Sequence, residues 1–161
     1  SSQIVLSLLE KLNLQPGEEV EVCQGYMFDL AREKLKKKGV SYHSAKIGDP
    51  LQSIIEETFQ NYALSLGVPQ QYVKYTKYPL HFHRILRWVY ADYENRAQLC
   101  KTGWKSWKKY GSLSIEVKDD ILYSSSYVCL KCGKGIKKET KVKRLEYFSN
   151  CPNTISLHSR C

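Results

Sequence analysis

The sequence predicts an α/β fold, α+β overall, because three patterns follow one another along its 161 residues. Residues 1–67 place a helix-like segment between two strand-like runs. Residues 68–111 hold a long amphipathic pattern, and residues 112–161 combine alternating runs with cysteines and a histidine. Apolar residues that recur every three or four positions indicate helices, and alternation indicates strands. We therefore expect an α/β scaffold at 1–67, a basic helical region at 68–111 and a β-hairpin with a ligand-rich module at 112–161.

The first region is predicted to form a βαβ unit with parallel strands. An apolar stripe at 3–13 indicates a leading helix, and Glu19–Cys23 alternates as a strand does. The next helix follows Gly25 and ends at three lysines and Gly39, which are residues that suit a helix C-terminus. Val40–Ile47 gives the second strand, and such strand–helix–strand connections are nearly always right-handed.

A further helix is predicted to begin at Asp49, whose carboxylate can cap it, and to end near Gly67. Two strands are too few for a stable sheet. We expect completion by residues 112–128, by a partner chain or by a missing N-terminal piece, since the chain begins at Ser1 without a methionine. The predicted apolar face of this helix consists of Leu51, Ile54, Ile55, Phe59, Tyr62 and Ala63.

The basic helical region is predicted to contain one continuous helix over residues 80–102. Its apolar positions recur at spacings of three and four, and its arginines are expected to lie off that face. Beyond it, tryptophan and tyrosine recur at every third position among lysines. Such aromatic residues more often belong to a core, although they can also stack on bases, whereas lysines neutralise phosphates. The candidate nucleic-acid contacts in this region are Lys105, Lys108 and Lys109.

The net charge of +9 is concentrated in the second and third regions. Residues 1–67 carry 7 Lys+Arg against 9 Asp+Glu, residues 68–111 carry 9 against 2, and residues 112–161 carry 9 against 5. The regional net charges are −2, +7 and +4. This asymmetry favours a polyanionic partner, most often nucleic acid, over the alternative of a Lys-rich solubilising surface. No long apolar run is present, so we expect no membrane span.

Two pairs of potential metal ligands, Cys129-x-x-Cys132 and His158-x-x-Cys161, form the most specific motif of the chain. A gap of two residues allows both members of a pair to turn onto one ion, and thiolate and imidazole ligands satisfy tetrahedral Zn²⁺. The pattern predicts one structural zinc ion with four protein ligands and no open position for a catalytic water. Cys151 is the alternative to His158 as the fourth ligand.

The remaining cysteines favour zinc over a disulfide set. No secretory signal is visible, and Cys23 and Cys100 lie in apolar runs that are typical of buried free thiols. Disulfides persist mainly in oxidising compartments. We therefore expect an intracellular protein, cytoplasmic or nuclear.

The approach to the metal motif is predicted to be a β-hairpin. Leu113–Val117 alternates as a strand, Lys118-Asp119-Asp120 is typical of a turn, and Ile121–Val128 would return as the partner strand. Beyond the first ligand pair, a strand with one basic face is expected to present its side chains to phosphates. Its candidate contacts are Lys137, Lys138, Lys141, Lys143 and Arg144.

The ligand pairs around a Lys-rich hairpin resemble treble-clef and PARP-type zinc fingers. Cys129, Cys132 and Ile136 match the Cys-x-x-Cys-x-x-x-Ile pattern of PARP-type fingers, whereas Leu157 replaces the aromatic residue before the second pair. This resemblance covers about the last fifth of the chain. It implies a module that docks nucleic acid or protein rather than an enzyme.

The order of helices and strands over residues 3–66 also resembles the second half of an RNase H-like fold. That family carries metal-binding carboxylates on its strands, and the first predicted strand here has no acid at its tip. Our first hypothesis is a zinc-stabilised, non-catalytic nucleic-acid-binding protein. The alternatives are a protein-interaction subunit, with a protein partner or a second copy, and a metal-dependent nuclease using Asp29, Asp49, Glu56 or Asp92.

Overall fold

The computed structural model describes residues 2–15, 17–74, 78–101, 103–123 and 127–161. Helices make up 44% of the chain and strands 21%, in separate small sheets, which confirms the predicted α+β class. No described helix has both the length and the apolar character needed to cross a membrane.

The chain forms two units, Ser1–Glu57 and Thr58–Cys161. The division into three regions that the sequence suggests stays a prediction. The first unit contains α1 (Ser2–Leu12), β1 (Glu21–Cys23), a 3₁₀ turn (Tyr26–Phe28), α2 (Asp29–Lys37), β2 (His43–Ala45) and the start of α3 (Leu51–Ser65).

The parallel strand pair of the first unit is confirmed, with Val22 paired to Ser44. Local sequence explains how α2 ends: basic residues fill its last turn, and Gly39 adopts φ +71°, the left-handed conformation that glycine tolerates best. Leu35 and Ala31 of α2 are buried. Completion of this sheet by residues 112–128 is wrong, because the two strands that the structure describes in that segment pair elsewhere.

The predicted apolar face of α3 is not buried. Each large side chain of this face is about half exposed or more. Of the face, only Ala63 near the end of the helix packs against a core. The helix itself is confirmed, and the hydroxyl of Ser53 donates to the Asp49 carboxylate at its start. The exposed members of the face are Leu51, Ile54, Ile55, Phe59 and Tyr62.

The second unit begins with helices. After α3 come α4 (Gln70–Val73), α5 (Tyr78–Tyr90), α6 (Tyr93–Arg96), a 3₁₀ turn (Ala97–Leu99) and α7 (Lys105–Tyr110). The prediction of one helix over 80–102 is therefore wrong.

The long helix is interrupted at Asp92, where the backbone turns to φ −154° and ψ 65°. The amide of Asp92 bonds to the Val89 carbonyl, not to that of Trp88 as an α-helix requires. The Trp88 carbonyl instead accepts the Arg96 guanidinium at 2.6 Å. Arg96 was expected to lie off the apolar face, but it is only 8% exposed. One buried side chain thus replaces the backbone bond that would continue the helix.

Strands complete the second unit: β3 (Glu116–Ile121), β4 (Tyr127–Val128), β5 (Gly135–Ile136), β6 (Lys141–Phe148) and β7 (Pro152–His158). An antiparallel sheet has the order β3-β6-β7, and β4 pairs with β5 in a separate hairpin. The main core lies between α5 and the β6–β7 face, where Leu86 and Tyr90 join Leu145 and Ile155.

The predicted hairpin between 113–117 and 121–128 is wrong, although residues 124–126 of its second arm lie outside the described residues. Its supposed turn, Lys118-Asp119-Asp120, continues β3 in register with β6. Lys118 pairs with Glu146 at 2.9 Å, and Asp120 pairs with Arg144 at 2.5 Å. These opposite charges on neighbouring strands stabilise a segment that by composition resembles a turn.

Candidate metal centre

The first ligand pair lies on the turn between β4 and β5. The Cys129 amide donates to the Lys134 carbonyl at 2.9 Å, and the Gly133 amide donates to the Cys129 carbonyl at 2.8 Å. Gly133 adopts φ +74°, which a residue with a side chain rarely does, so glycine allows the chain to fold back tightly after Cys132. The predicted knuckle is therefore formed by backbone bonds around the two thiols.

The second pair lies where β7 ends. His158 is the last residue of β7 and is paired with Val142 of β6, so the sheet fixes its backbone. The Cys161 amide donates to the His158 carbonyl at 3.2 Å and brings the second thiol back toward the first pair. Two elements that are far apart in sequence thus present four ligand side chains to one point.

The four ligand atoms lie within 4.8 Å of one another. Cys161 Sγ is 3.8 Å from both Cys129 Sγ and His158 Nδ1, and Cys132 Sγ is 3.3 Å from the same nitrogen. A tetrahedral ion bonded to thiolates at about 2.3 Å holds two sulfurs about 3.8 Å apart, and a sulfur and a nitrogen about 3.5 Å apart. All six cysteines are free thiols, and a disulfide needs about 2.05 Å. The cluster can therefore hold one metal ion.

The other ring nitrogen of His158 is also engaged. Nε2 lies 3.2 Å from the Gly135 carbonyl, to which it donates when Nδ1 is the metal ligand. Such a bond fixes both the tautomer and the orientation of a metal-binding imidazole. The His158 ring thus contacts the knuckle directly, through the Gly135 carbonyl.

The surroundings shift the pKa values of Cys161 and Cys132 in opposite directions. Desolvation inside the cluster and hydrogen bonds with the two other thiols raise the pKa of Cys161 to about 12, although the residue as a whole is exposed. The Lys134 amide lowers the pKa of Cys132 by hydrogen bonding. Three thiols packed together cannot all ionise without a cation between them, and a divalent ion supplies that charge.

Arg96 is the residue of this site that the sequence did not reveal. Besides the Trp88 carbonyl, its guanidinium donates to the carbonyls of Leu130 at 2.8 Å and Lys131 at 2.9 Å. These two residues lie between the ligand cysteines of the knuckle. The guanidinium also lies 4.1 Å from the centroid of the Trp88 ring. Arg96 therefore positions the first ligand pair through Leu130, which lies 34 residues later in the sequence.

The positive charge of Arg96 is electrostatically compatible with a position beside the thiol cluster. Burial lowers its pKa, while Asp92 and Cys129 act in the opposite direction. A guanidinium stays protonated in proteins. Three thiolates, a neutral imidazole and a divalent ion carry one net negative charge, so a buried cation beside Cys129 is electrostatically favourable.

The other candidate ligands lie outside the cluster. Cys151 lies in the turn between β6 and β7, where its carbonyl accepts from the Ser149 amide and the Asn153 side chain, and it is not one of the four clustered residues. Among the described residues, the cluster is the one group of three or more potential ligands. The carboxylates of the nuclease hypothesis engage neighbours instead: Asp29 with Arg32, Asp49 with Ser53, Glu56 with Gln52, and Asp92 with Lys131.

The candidate phosphate contacts fall into two groups. Those of α7 are exposed on a short helix whose Trp107 and Tyr110 pack against the core. Those of the third region are exposed between β5 and β6 and along β6, except Arg144, which is half-buried in ion pairs with Asp120 and Glu146. Because strand residues alternate between faces, Arg144 lies on the face opposite its neighbouring lysines. The exposed candidates are Lys105, Lys108, Lys109, Lys137, Lys138, Lys141 and Lys143.

A second polar cluster joins α5 to the β6–β7 turn. His83 Nδ1 lies 3.2 Å from Ser149 Oγ, and its Nε2 accepts from the Asn150 amide at 2.9 Å. The Tyr110 hydroxyl donates to the carbonyl oxygen of the same Asn150 side chain. These bonds fit a neutral imidazole. Burial, and then the charge of Lys109, lower the pKa of His83.

We expect the pKa of His83 in the folded protein to lie below 6.5 and to rise in the Lys109→Gln variant. The rise should be partial, because burial, the larger cause, remains. A depressed pKa means that the contribution of His83 to stability is complete above pH 6.5 and is lost as the pH falls through the folded value. An NMR titration of the imidazole measures this, with Lys105→Gln as the control, and an unchanged pKa in Lys109→Gln contradicts it.

Comparison of the chain with protein-family models, with curated proteins and with solved structures gives no match. The resemblance to treble-clef and PARP-type fingers therefore rests on the four ligands and their geometry. The resemblance to RNase H-like folds stays a prediction.

Proposed function

We propose that this protein is a zinc-stabilised nucleic-acid-binding protein. The geometry of the Cys129, Cys132, His158 and Cys161 cluster carries the proposal, because four ligand atoms within 4.8 Å of one another can hold one ion, as a Cys₃His site does. Three thiolates and one imidazole form a donor set that zinc prefers and that hard cations such as Mg²⁺ avoid. With four protein ligands the ion has no open position for water, so its role is structural.

Unpaired lysines beside the centre support nucleic acid as the partner. In the part of the chain that the structure describes, Lys137, Lys138, Lys141 and Lys143 make no ion pair, whereas Lys118 and Arg144 on the same sheet do. Lysines without carboxylate partners are free to replace the counterions of phosphates, a sequence-independent source of affinity. Lys141 and Lys143 lie on β6, and Lys137 and Lys138 lie on the short segment that joins β5 to β6.

A binding assay across salt concentration tests this function. We expect zinc-loaded protein to bind a labelled oligonucleotide, and the logarithm of affinity to fall linearly with the logarithm of salt concentration. In the Lys141→Gln/Lys143→Gln variant, we expect at least about tenfold weaker binding and a slope reduced by about 1.4 for a single strand or 1.8 for a duplex, for two lost phosphate contacts. Glutamine is preferable to glutamate because Lys143 pairs in register with Asp119, where a new acid would destabilise the sheet.

The matched control is Lys34→Gln/Lys36→Gln, which removes the same charge from exposed positions of α2 in the acidic first region. It should bind as the wild type does. Absence of salt-dependent binding by the wild type contradicts the proposed function. The interaction-subunit and nuclease hypotheses stay predictions, and cleavage of the oligonucleotide in this assay would favour the nuclease.

A further inference from the structure

A cavity of about 460 Å³ adjoins the metal centre. It lies where the end of β7 meets the segment between β5 and β6. His158 forms part of its wall, together with Ser159 and Arg160 from the ligand loop and Lys137 and Lys141 from the opposite side. Its volume falls in the range of ligand pockets and exceeds that of a bare ion.

The charged side chains that line this cavity are all positive. Lys137, Lys141 and Arg160 contribute three cations to its lining, which contains no carboxylate. Over the described ranges none of these three side chains makes an ion pair. Gathering like charges costs free energy unless an anion balances them. The composition therefore points to a ligand with negatively charged oxygens.

Arg160 is the most specific of these cations, and it lies on the loop between two of the candidate metal ligands. Arg160 and Ser159 lie between His158 and Cys161, so an ion held by these two ligands would fix the backbone on both sides of them. The hydrogen bond from the Cys161 amide to the His158 carbonyl closes the same loop. A guanidinium on a rigid loop can donate two parallel bonds to phosphate oxygens, which a lysine cannot do.

We propose that this cavity binds one backbone phosphate of the nucleic acid, with its attached sugar. Arg160 donates the bidentate bonds, Lys137 and Lys141 neutralise the charge, and the Ser159 hydroxyl adds a donor. The assignment rests on the proposed function and adds to it a defined phosphate subsite, including Arg160, whose position depends on zinc.

Arg160→Gln and Lys137→Gln in zinc-loaded protein test this subsite, with an oligonucleotide as the probe and fluorescence anisotropy as the readout. We expect about tenfold weaker binding by Arg160→Gln and a salt slope reduced by about 0.7 for a single strand or 0.9 for a duplex. Arg160→Lys should recover only part of the loss. Lys34→Gln removes one charge outside the cavity and should bind as the wild type does.

Zinc content measured on each variant separates a binding defect from a folding defect. If Arg160→Gln loses zinc, Lys137→Gln decides the question, because Lys137 lies outside the ligand loop. The subsite is overturned if a zinc-loaded Arg160→Gln variant keeps the affinity and salt slope of the wild type. Where Lys137→Gln decides, the same result in that variant overturns it. Either result leaves the proposed function standing. Absence of salt-dependent binding by the wild type overturns both.

Discussion

Removal of zinc by a chelator is expected to unfold residues 129–161. Cys129 is fully buried and shares a core with Leu130 and Ile136, so the first ligand pair is part of the packing of this unit. The β4–β5 hairpin has two residues in each strand and cannot persist alone. Structural zinc contributes about 10–16 kcal/mol of apparent binding free energy, which equals or exceeds the stability of a typical domain.

Amide hydrogen exchange, followed residue by residue, measures this effect. Protection of the β6 and β7 amides should disappear on chelation and return when zinc is restored. Retention of their protection after complete removal of the metal would contradict the prediction.

Two single substitutions provide a matched comparison. Cys129→Ser removes a ligand and should behave as the chelated protein does, without stoichiometric zinc. Cys151→Ser changes an exposed thiol outside the cluster and should retain one zinc ion per chain. If Cys151→Ser lost zinc and His158→Ala retained it, Cys151 would be the fourth ligand.

The sequence predicts the cluster of four potential ligands because each ligand pair follows local rules. A two-residue gap between ligands and a glycine after the second cysteine are properties of short segments, and the structure brings the four side chains together. The end of α2 before Gly39 is predictable for the same reason. The parallel pairing of β1 with β2 is predictable from a general rule instead, because a strand–helix–strand order of this length favours parallel strands.

The failures of prediction lie where partners are distant in sequence. Lys118-Asp119-Asp120 has the composition of a turn. However, Lys118 forms an ion pair with Glu146 and Asp120 forms one with Arg144, both on β6 and more than 20 residues later. The break at Asp92 arises because Arg96 takes the Trp88 carbonyl while also holding the knuckle. Local periodicity contains no information about either partner. An arginine at the end of an amphipathic pattern is ordinarily exposed, so its burial could not be inferred.

Arg96→Met is expected to destabilise the second unit by at least about 3 kcal/mol. The variant keeps much of the apolar volume but leaves the carbonyls of Trp88, Leu130 and Lys131 without their donor. The bonds to Trp88 and Leu130 are buried and the bond to Lys131 is partly buried, and each carbonyl that stays unsatisfied costs about 1–3 kcal/mol. The variant also removes the interaction of the guanidinium with the Trp88 ring. In a unit of about 100 residues this corresponds to a fall in Tm of more than about 10 °C.

Zinc affinity separates this positioning role from general packing. Because the Leu130 and Lys131 carbonyls belong to the knuckle, Arg96→Met should weaken zinc binding by about 10- to 100-fold, the usual cost of losing a group that orients metal ligands. The control is Arg87→Met. In the wild type, Arg87 of α5 donates to the Thr154 carbonyl of β7 and not to the knuckle. The substitution should cost about 1 kcal/mol and leave zinc affinity unchanged. Competition with a chromophoric chelator measures both variants, and equal zinc affinities would show that Arg96 stabilises the fold without positioning the ligands.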